Sequence, residues 1–185
     1  MLTAIELKML NSLKNGEVII YPTDTIYGIG CDAFNTRSIE KIFEIKKRDP
    51  SKPVSLLFSG IEDVEQKFYT EKNGRKIDLN KYVNGYTLLL KPKPWIEKVD
   101  AHYFYKNGNI GVRIIDHWVS KVVEKLGNPI ITTSANISNS KRLPIDYKSI
   151  DQPIINGCDA IFYEGKLKSK ASIVLDPLKN KTYRK

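Results

Sequence analysis

The 185-residue sequence predicts an α/β fold, a sheet of short strands with helices packed against it. Two patterns carry that prediction. Short apolar runs bounded by Gly, Pro, Asn or Ser recur along the chain, as buried strands do, and between them lie segments whose apolar residues return every three or four positions, as helix faces do. A third observation bears on organisation: no internal repeat, low-complexity tract or linker divides the chain, and its 41% hydrophobic content suffices for one sizeable core. One compact domain over residues 1–185 is the expected arrangement.

Thr3 and Glu6 have the spacing of a capping box, and Ile5, Met9 and Leu13 recur at helical spacing until Asn15-Gly16 stops them. Glu17 to Tyr21 follows as a buried strand. Asn35 or Thr36 caps a second helix, whose Ile39, Ile42, Phe43 and Lys46 lie three or four residues apart, so a basic end follows directly on its apolar face. Val54 to Phe58 reads as a strand and Ile61, Val64 and Phe68 as a short helix, while 69–81 is polar and carries no clear period. Tyr86 to Lys91 is strand-like and is ended by Pro92 and Pro94. Ile110 to Ile115 is another strand, followed by a helix on Val119, Val122, Val123 and Leu126 that stops at Gly127. Pro129 to Thr133 runs as a strand straight into Ser134-Ala135-Asn136, and Ala160 to Tyr163 and Ile173 to Leu175 complete the strands.

Composition narrows the function. Thirty Lys and Arg against 21 Asp and Glu leave a formal charge of +9, which favours polyanionic or phosphorylated partners. A lysine-rich composition produces the same excess, and the basic tail of Lys166, Lys168, Lys170, Lys179, Lys181, Arg184 and Lys185 reads as solvated. No apolar run of about 18 residues occurs and the first residues carry an acid early, so neither a membrane span nor an export signal is expected and the setting is cytoplasmic. Cys31 and Cys158 lack zinc-site spacing, and His102 and His117 lack triad partners and read as surface or capping residues. Gly28-Ile29-Gly30 lacks the third glycine of a dinucleotide fingerprint, and no loop ends in Gly-Lys-Ser/Thr.

The candidate chemistry sits where strands stop. Thr23, Thr25, Ser134 and Asn136 follow two separate strands, the place where open α/β sheets bind ligands, although turns and caps use the same residue types. Lysines near a helix C-terminus are likewise favoured by the helix dipole. Lys46, Arg48, Lys52 and Arg113 form a cation set suited to phosphoryl or nucleotidyl transfer, which needs positioning and charge neutralisation more than acid-base work. Asp24 and Asp32 read as turn caps or as partners for Lys46 or Arg48, not as general bases.

Four stretches in order, Tyr21-Pro-Thr-Asp-Thr-Ile-Tyr-Gly-Ile-Gly30, Lys46-x-Arg48 with Lys52-Pro53, Gly111-Val-Arg113, and Thr133-Ser-Ala-Asn136-x-Ser138, resemble the motifs of the YrdC-like family. The resemblance covers roughly residues 16–176 and the short form of the family, without an additional C-terminal domain. It implies an open, twisted, mixed sheet with flanking helices and a concave basic face. It also implies synthesis of L-threonylcarbamoyl-AMP from L-threonine, bicarbonate and ATP, with release of pyrophosphate, for modification of the tRNA adenosine beside the anticodon.

By the same resemblance, Thr23, Thr25 and Tyr27 would bind threonine, and Lys46, Arg48 and Lys52 would act on the phosphates and the carbamate. Arg113, Thr133, Ser134, Asn136 and Ser172 would complete the nucleotide site. Mg²⁺ would arrive with ATP without dedicated protein ligands, and tRNA or a tRNA threonylcarbamoyltransferase complex would receive the product. The chain departs from the family pattern in carrying Asn84-Gly85-Tyr86-Thr87 for Pro-Gly-Pro-x-Thr, Asn139 for a glycine, and Ala171 beneath the usual serine, next to Ser172. The alternative is a non-catalytic module of this fold that binds double-stranded RNA or tRNA, with Tyr103, Phe104 and Tyr105 available for stacking.

Overall fold

The computed structural model describes residues 1–167 and 170–184; Lys168 and Lys185 of the basic tail lie outside the described residues. Along the chain run α1 (Ala4–Lys14), β1 (Ile19–Tyr21), β2 (Gly28–Gly30), α2 (Thr36–Ile45), β3 (Ser55–Phe58), α3 (Ile61–Lys67), β4 (Phe68–Tyr69), β5 (Glu71–Lys72), β6 (Arg75–Lys76) and β7 (Tyr86–Pro92). There follow β8 (Tyr105–Lys106), β9 (Asn109–Ile114), α4 (Trp118–Leu126), β10 (Ile130–Ser134), α5 (Gln152–Gly157), β11 (Ala160–Ile161), β12 (Ile173–Asp176) and β13 (Lys181–Arg184). One 11-stranded sheet has the path β11-β1-β2-β10-β3-β9-β7-β12-β13, with β4 on β7 and β8 on β9, while β5 and β6 form a separate hairpin. The sheet is mixed: β3 runs parallel to β9 and β7 to β12, whereas β10 lies antiparallel to both β2 and β3. The open mixed α/β sheet that the resemblance implies is present.

The caps act as the sequence predicts. Thr3 Oγ1 accepts from Glu6 N at 3.4 Å while Glu6 Oε2 accepts from Thr3 N at 2.6 Å, so α1 starts in a reciprocal capping box. Asn35 Oδ1 accepts from Ser38 N at 3.1 Å to start α2, and Gly127, at φ 81°, ends α4 in the left-handed region. Among the described residues no helix is long and apolar enough to cross a membrane.

Alternation along the strands separates two faces. Ile20, Ile29, Leu56, Phe58, Val112 and Ile131 point into the larger core, which α2 covers with Ile39, Ile42 and Phe43. Ile19, Leu57 and Ile130 point the other way, into a second core closed by Met9 and Leu13 of α1 and Val119, Val122 and Val123 of α4. These two helices cover only part of that second face. On the rest of it Ser55, Thr87, Leu89, Gly111, Arg113 and Thr132 line an open cleft.

Several expectations need correction. Gly28-Ile29-Gly30, to which the sequence reading gave no strand, is a buried strand between β1 and β10. A Cβ on Gly30 would stand 2.0 Å from the carbonyl oxygen of Ile131, so this glycine admits the close approach of two strands. Phe68 leaves the helix to pair with Pro92, which remains within β7 because the pairing lies at the sheet margin. The basic tail is exposed as expected, but it is not without structure: Lys181–Arg184 is an edge strand antiparallel to β12. The 69–81 stretch holds the β5–β6 hairpin and a 3₁₀ turn at Leu79–Tyr82.

The glycines yield a direct test. Gly30→Ala should cost more than about 3 kcal/mol or prevent folding, because backbone must move to admit the methyl group. Gly127→Ala, with no heavy atom within 4 Å of the added Cβ, should cost only about 1 kcal/mol for its positive φ. Urea denaturation of the two variants measures the contrast.

Candidate functional site

The cleft has a volume of about 840 Å³ and its wall is drawn from both sequence halves. The register Ile29↔Thr133 and Gly28↔Ser134 sets the loop before β2 against the loop after β10, which is why residues a hundred positions apart meet here. Nine of the eleven residues predicted for the site line it: Thr23, Tyr27, Arg48, Lys52, Arg113, Thr133, Ser134, Asn136 and Ser172. Thr25 and Lys46 stand behind the wall, 2% and 1% exposed.

The first stretch is held by its own hydroxyls. Thr23 Oγ1 donates to Ile26 O at 2.7 Å and accepts from Thr25 N at 3.1 Å, a local turn that keeps the chain tight before β2. Tyr27 is among the residues of the cleft wall but is fully buried, its ring stacked on Tyr163 and its hydroxyl engaged, donating to Gly165 O at 2.6 Å and accepting from Glu164 N at 3.1 Å. Asp24 pairs with Arg113 and accepts from Gly85 N, so the expected partners Lys46 and Arg48 are replaced by a residue on β9. Asn84 and Gly85 both have positive φ, 65° and 73°, which gives a tight turn without prolines. Asn84 Oδ1 accepts from Asp116 N at 2.9 Å and Gly85 O accepts from Ile173 N at 2.8 Å, so the substituted turn is tied on both sides. Asp32, the other carboxylate considered, caps a turn by accepting from Phe34 N at 2.9 Å and takes a bond from Asn128 Nδ2 at 3.0 Å.

Charge is one-sided. Arg48, Lys52, Arg113 and Arg184 line the cleft, and none of its described lining residues is an Asp or Glu. Arg48 donates to Lys52 O at 2.8 Å and Pro53 O at 2.7 Å, bracing the loop that carries Lys52; burial lowers its pKa from the ordinary value. Arg113 is 7% exposed, reaches Thr25 Oγ1 at 3.3 Å, and has a buried Nε with no hydrogen-bond partner. Arg184 was missed by sequence reading. It donates to Ser172 O at 2.8 Å, and burial, then the charge of Arg113, lowers its pKa. The signal that could have found it is the alternation Lys181, Thr182, Tyr183, Arg184, which on an edge strand sends alternate side chains to one face. Ser172, beside Ala171, has its hydroxyl 2.8 Å from Thr87 Oγ1 and lines the wall.

At the end of β10, Ser134 Oγ donates to Asn136 Oδ1 at 2.7 Å, and Asn136 Nδ2 donates to Arg142 O at 2.9 Å. Lys46 Nζ donates to the main-chain oxygens of Ser134, at 2.5 Å, and Asn136, at 2.7 Å. Desolvation, then the positive charge of Arg48, pulls its pKa from 10.5 down to about 7, against the opposing pull of Asp151. His117 caps α4 through Val119 N at 3.4 Å, and His102 sits at the surface beside Asp100. Among the described residues no group of three or more His, Cys, Asp or Glu is placed to hold a metal ion.

A cationic, hydroxyl-lined cleft on the uncovered face of an open mixed sheet is suited to anionic ligands. The chain belongs to the Sua5, YciO and YrdC family, whose model, described as telomere recombination, matches residues 11–184. A Methanocaldococcus jannaschii relative, provisionally described as a threonylcarbamoyl-AMP synthase, is 34% identical over 174 residues, 91% of this chain and 80% of its own length. The Vibrio campbellii threonylcarbamoyl-AMP synthase is 30% identical over 136 residues, 71% of each chain. In fold, the chain is similar to Escherichia coli YciO, with a TM-score of 0.81 at 23% identity over 98% of this chain and 88% of that one. It is also similar to Pyrococcus abyssi Sua5 complexed with L-threonine, with a TM-score of 0.80 at 23% identity. That match covers 94% of this chain and 51% of Sua5, so the chain spans about half the length of that protein.

Burial of Lys46 gives a pH signature. Between pH about 7 and 10.5 the unfolded chain holds a proton that the folded chain has released, so this group makes stability rise with pH across that window; below about 7 both states are protonated and the burial cost is present in full. Lys46→Met should flatten that segment of the stability–pH curve, as read from denaturation midpoints at fixed ionic strength.

Proposed function

We propose that the chain condenses L-threonine, bicarbonate and ATP into L-threonylcarbamoyl-AMP, releasing pyrophosphate and water, and so supplies threonylcarbamoyl groups for tRNA modification. The observation that carries this reading is the cleft, whose described lining residues include four cations and no carboxylate and which is large enough for a nucleotide and a small amino acid together. The names of the M. jannaschii and V. campbellii relatives support the same reaction.

In this reading the threonine amine takes up carbon dioxide from bicarbonate and loses a proton, forming a carbamate. A carbamate oxygen then attacks the α-phosphorus of ATP, and the bond to the bridging oxygen breaks as pyrophosphate leaves. Arg48, Lys52 and Arg184 neutralise the phosphate charge that builds on the transferring and leaving groups. Thr23, Thr25 and Tyr27 take the threonine, and Arg113, which reaches Thr25 and lines the cleft, takes the nucleotide. Ser134, Asn136, Thr133 and Ser172 set the nucleotide against the cations. Mg²⁺ travels with the triphosphate; the wall offers no carboxylate for it, and no step here is assigned to the metal. The product would pass to a tRNA threonylcarbamoyltransferase complex.

The RNA-binding alternative is the weaker reading: of its three aromatics Tyr103 and Phe104 are 8% and 0% exposed and cannot stack on bases as they stand, which leaves Tyr105, 36% exposed at the cleft. The deciding experiment follows labelled bicarbonate and pyrophosphate with purified protein, ATP and Mg²⁺, with and without L-threonine. Threonine-dependent label in an adenylate with matching pyrophosphate is expected, and Arg48→Ala should lower that rate at least about 100-fold with its far-UV spectrum unchanged. Failure to form an adenylate, with salt-sensitive RNA binding instead, would sink the enzyme reading.

A further inference from the structure

Lys46 is a buried amine that makes no salt bridge among the described residues, which is unusual enough to require a reason. Its two Nζ bonds reach Ser134 O at 2.5 Å and Asn136 O at 2.7 Å, and its own carbonyl accepts from Ser138 N at 2.9 Å. Three bonds from one residue therefore span 134–138. Within that stretch Ser134 O also accepts from Asn136 N at 2.8 Å, which closes a three-residue turn around Ala135. So short a turn offers little stability of its own, and it presents the Ser134 and Asn136 side chains to the cleft.

The charged groups facing this amine are Arg48, from the loop after α2, and Asp151, before α5. Asp151 is already accepting from Ile137 N at 2.8 Å, in the same loop. A neutral amine has two protons, matching the two carbonyl oxygens it serves. The site thus suits an uncharged or readily deprotonated lysine that braces main chain, and it does not suit a phosphate ligand carrying full charge.

We propose that Lys46 is a positioning residue for the nucleotide: from behind the wall it fixes the turn that carries Ser134 and Asn136, and it does not touch the phosphates. The identity of the nucleotide rests on the function proposed above; the clamp itself rests on the geometry alone.

Two measurements test it. Hydrogen–deuterium exchange of the ATP-free protein should show the amides of Asn136 and Ser138 exchanging at least about tenfold faster in Lys46→Met and Lys46→Gln, with exchange in α1 and α4 unchanged. In the wild-type protein, carbon-13 NMR of the Lys46 side chain should give a titration midpoint that stays within about 0.3 of its ATP-free value when ATP is added. Unchanged exchange in folded variants would overturn the clamp, and a midpoint raised by one pH unit or more with ATP would show a direct phosphate contact and overturn the proposal as well. If neither variant folds, the wild-type titration decides. If the wild type binds no ATP, the proposed function fails while the exchange measurement still judges the clamp.

Discussion

The close approach of β2 to β10 is the constraint on which the rest of the structure depends. Gly30 leaves no side chain between its backbone and Ile131 O, so the two strands pair, and the pairing places Gly28 opposite Ser134. That register carries the Thr23–Tyr27 turn and the Ser134–Asn136 turn to one side of the cleft. Tyr21 reinforces the junction by donating its hydroxyl to Ile131 O at 2.9 Å from the fully buried core. A one-residue slip here would turn every side chain of β10 to the opposite face, so the site and the core are specified by the same contact.

Incomplete helical cover makes the cleft. Helices α1 and α4 close one part of the second sheet face with aliphatic side chains, and the uncovered part carries Ser55, Thr87, Thr132 and Arg113 at alternate positions. Holding cations there is costly: burial lowers the pKa of both Arg48 and Arg184, and the charge of Arg113 lowers that of Arg184 further, so an anionic ligand would be favoured. Asp49 offsets that cost beside Arg48, and Asp24 does so from the side, pairing with Arg113 while fixing the Asn84-Gly85 turn through Gly85 N. The pair is almost fully buried, so its value lies in orienting Arg113 rather than in adding net stability.

Much of the fold was legible because helix periodicity and capping are local. The boundaries of α1, α2 and α4 follow from Thr3 with Glu6, from Asn35 and from Gly127, where the stop and start signals lie within a few residues of the elements they bound. The failures share a cause. Strand β2 is two-thirds glycine and β13 is wholly exposed, so neither carries a hydrophobic signal; each exists because a neighbouring strand supplies its hydrogen bonds. The chemistry was partly legible too, since Thr23, Ser134 and Asn136 stand where strands end and Arg48 just past a helix end, but Arg184 reaches the wall only through the β12–β13 pairing.

By itself, then, the sequence determined the class of fold, the strand-end placement of the polar residues and the sign of the charge gathered there, because periodicity, turn chemistry and composition are properties of short stretches. Only the tertiary structure decided which of those residues face the cleft and which stand behind it. Lys46 and Arg48 lie two positions apart on one helix end, yet one braces main chain beneath the wall and the other lines it. That division depends on where β10 lies relative to α2, a relation between segments 90 residues apart that local pattern does not encode.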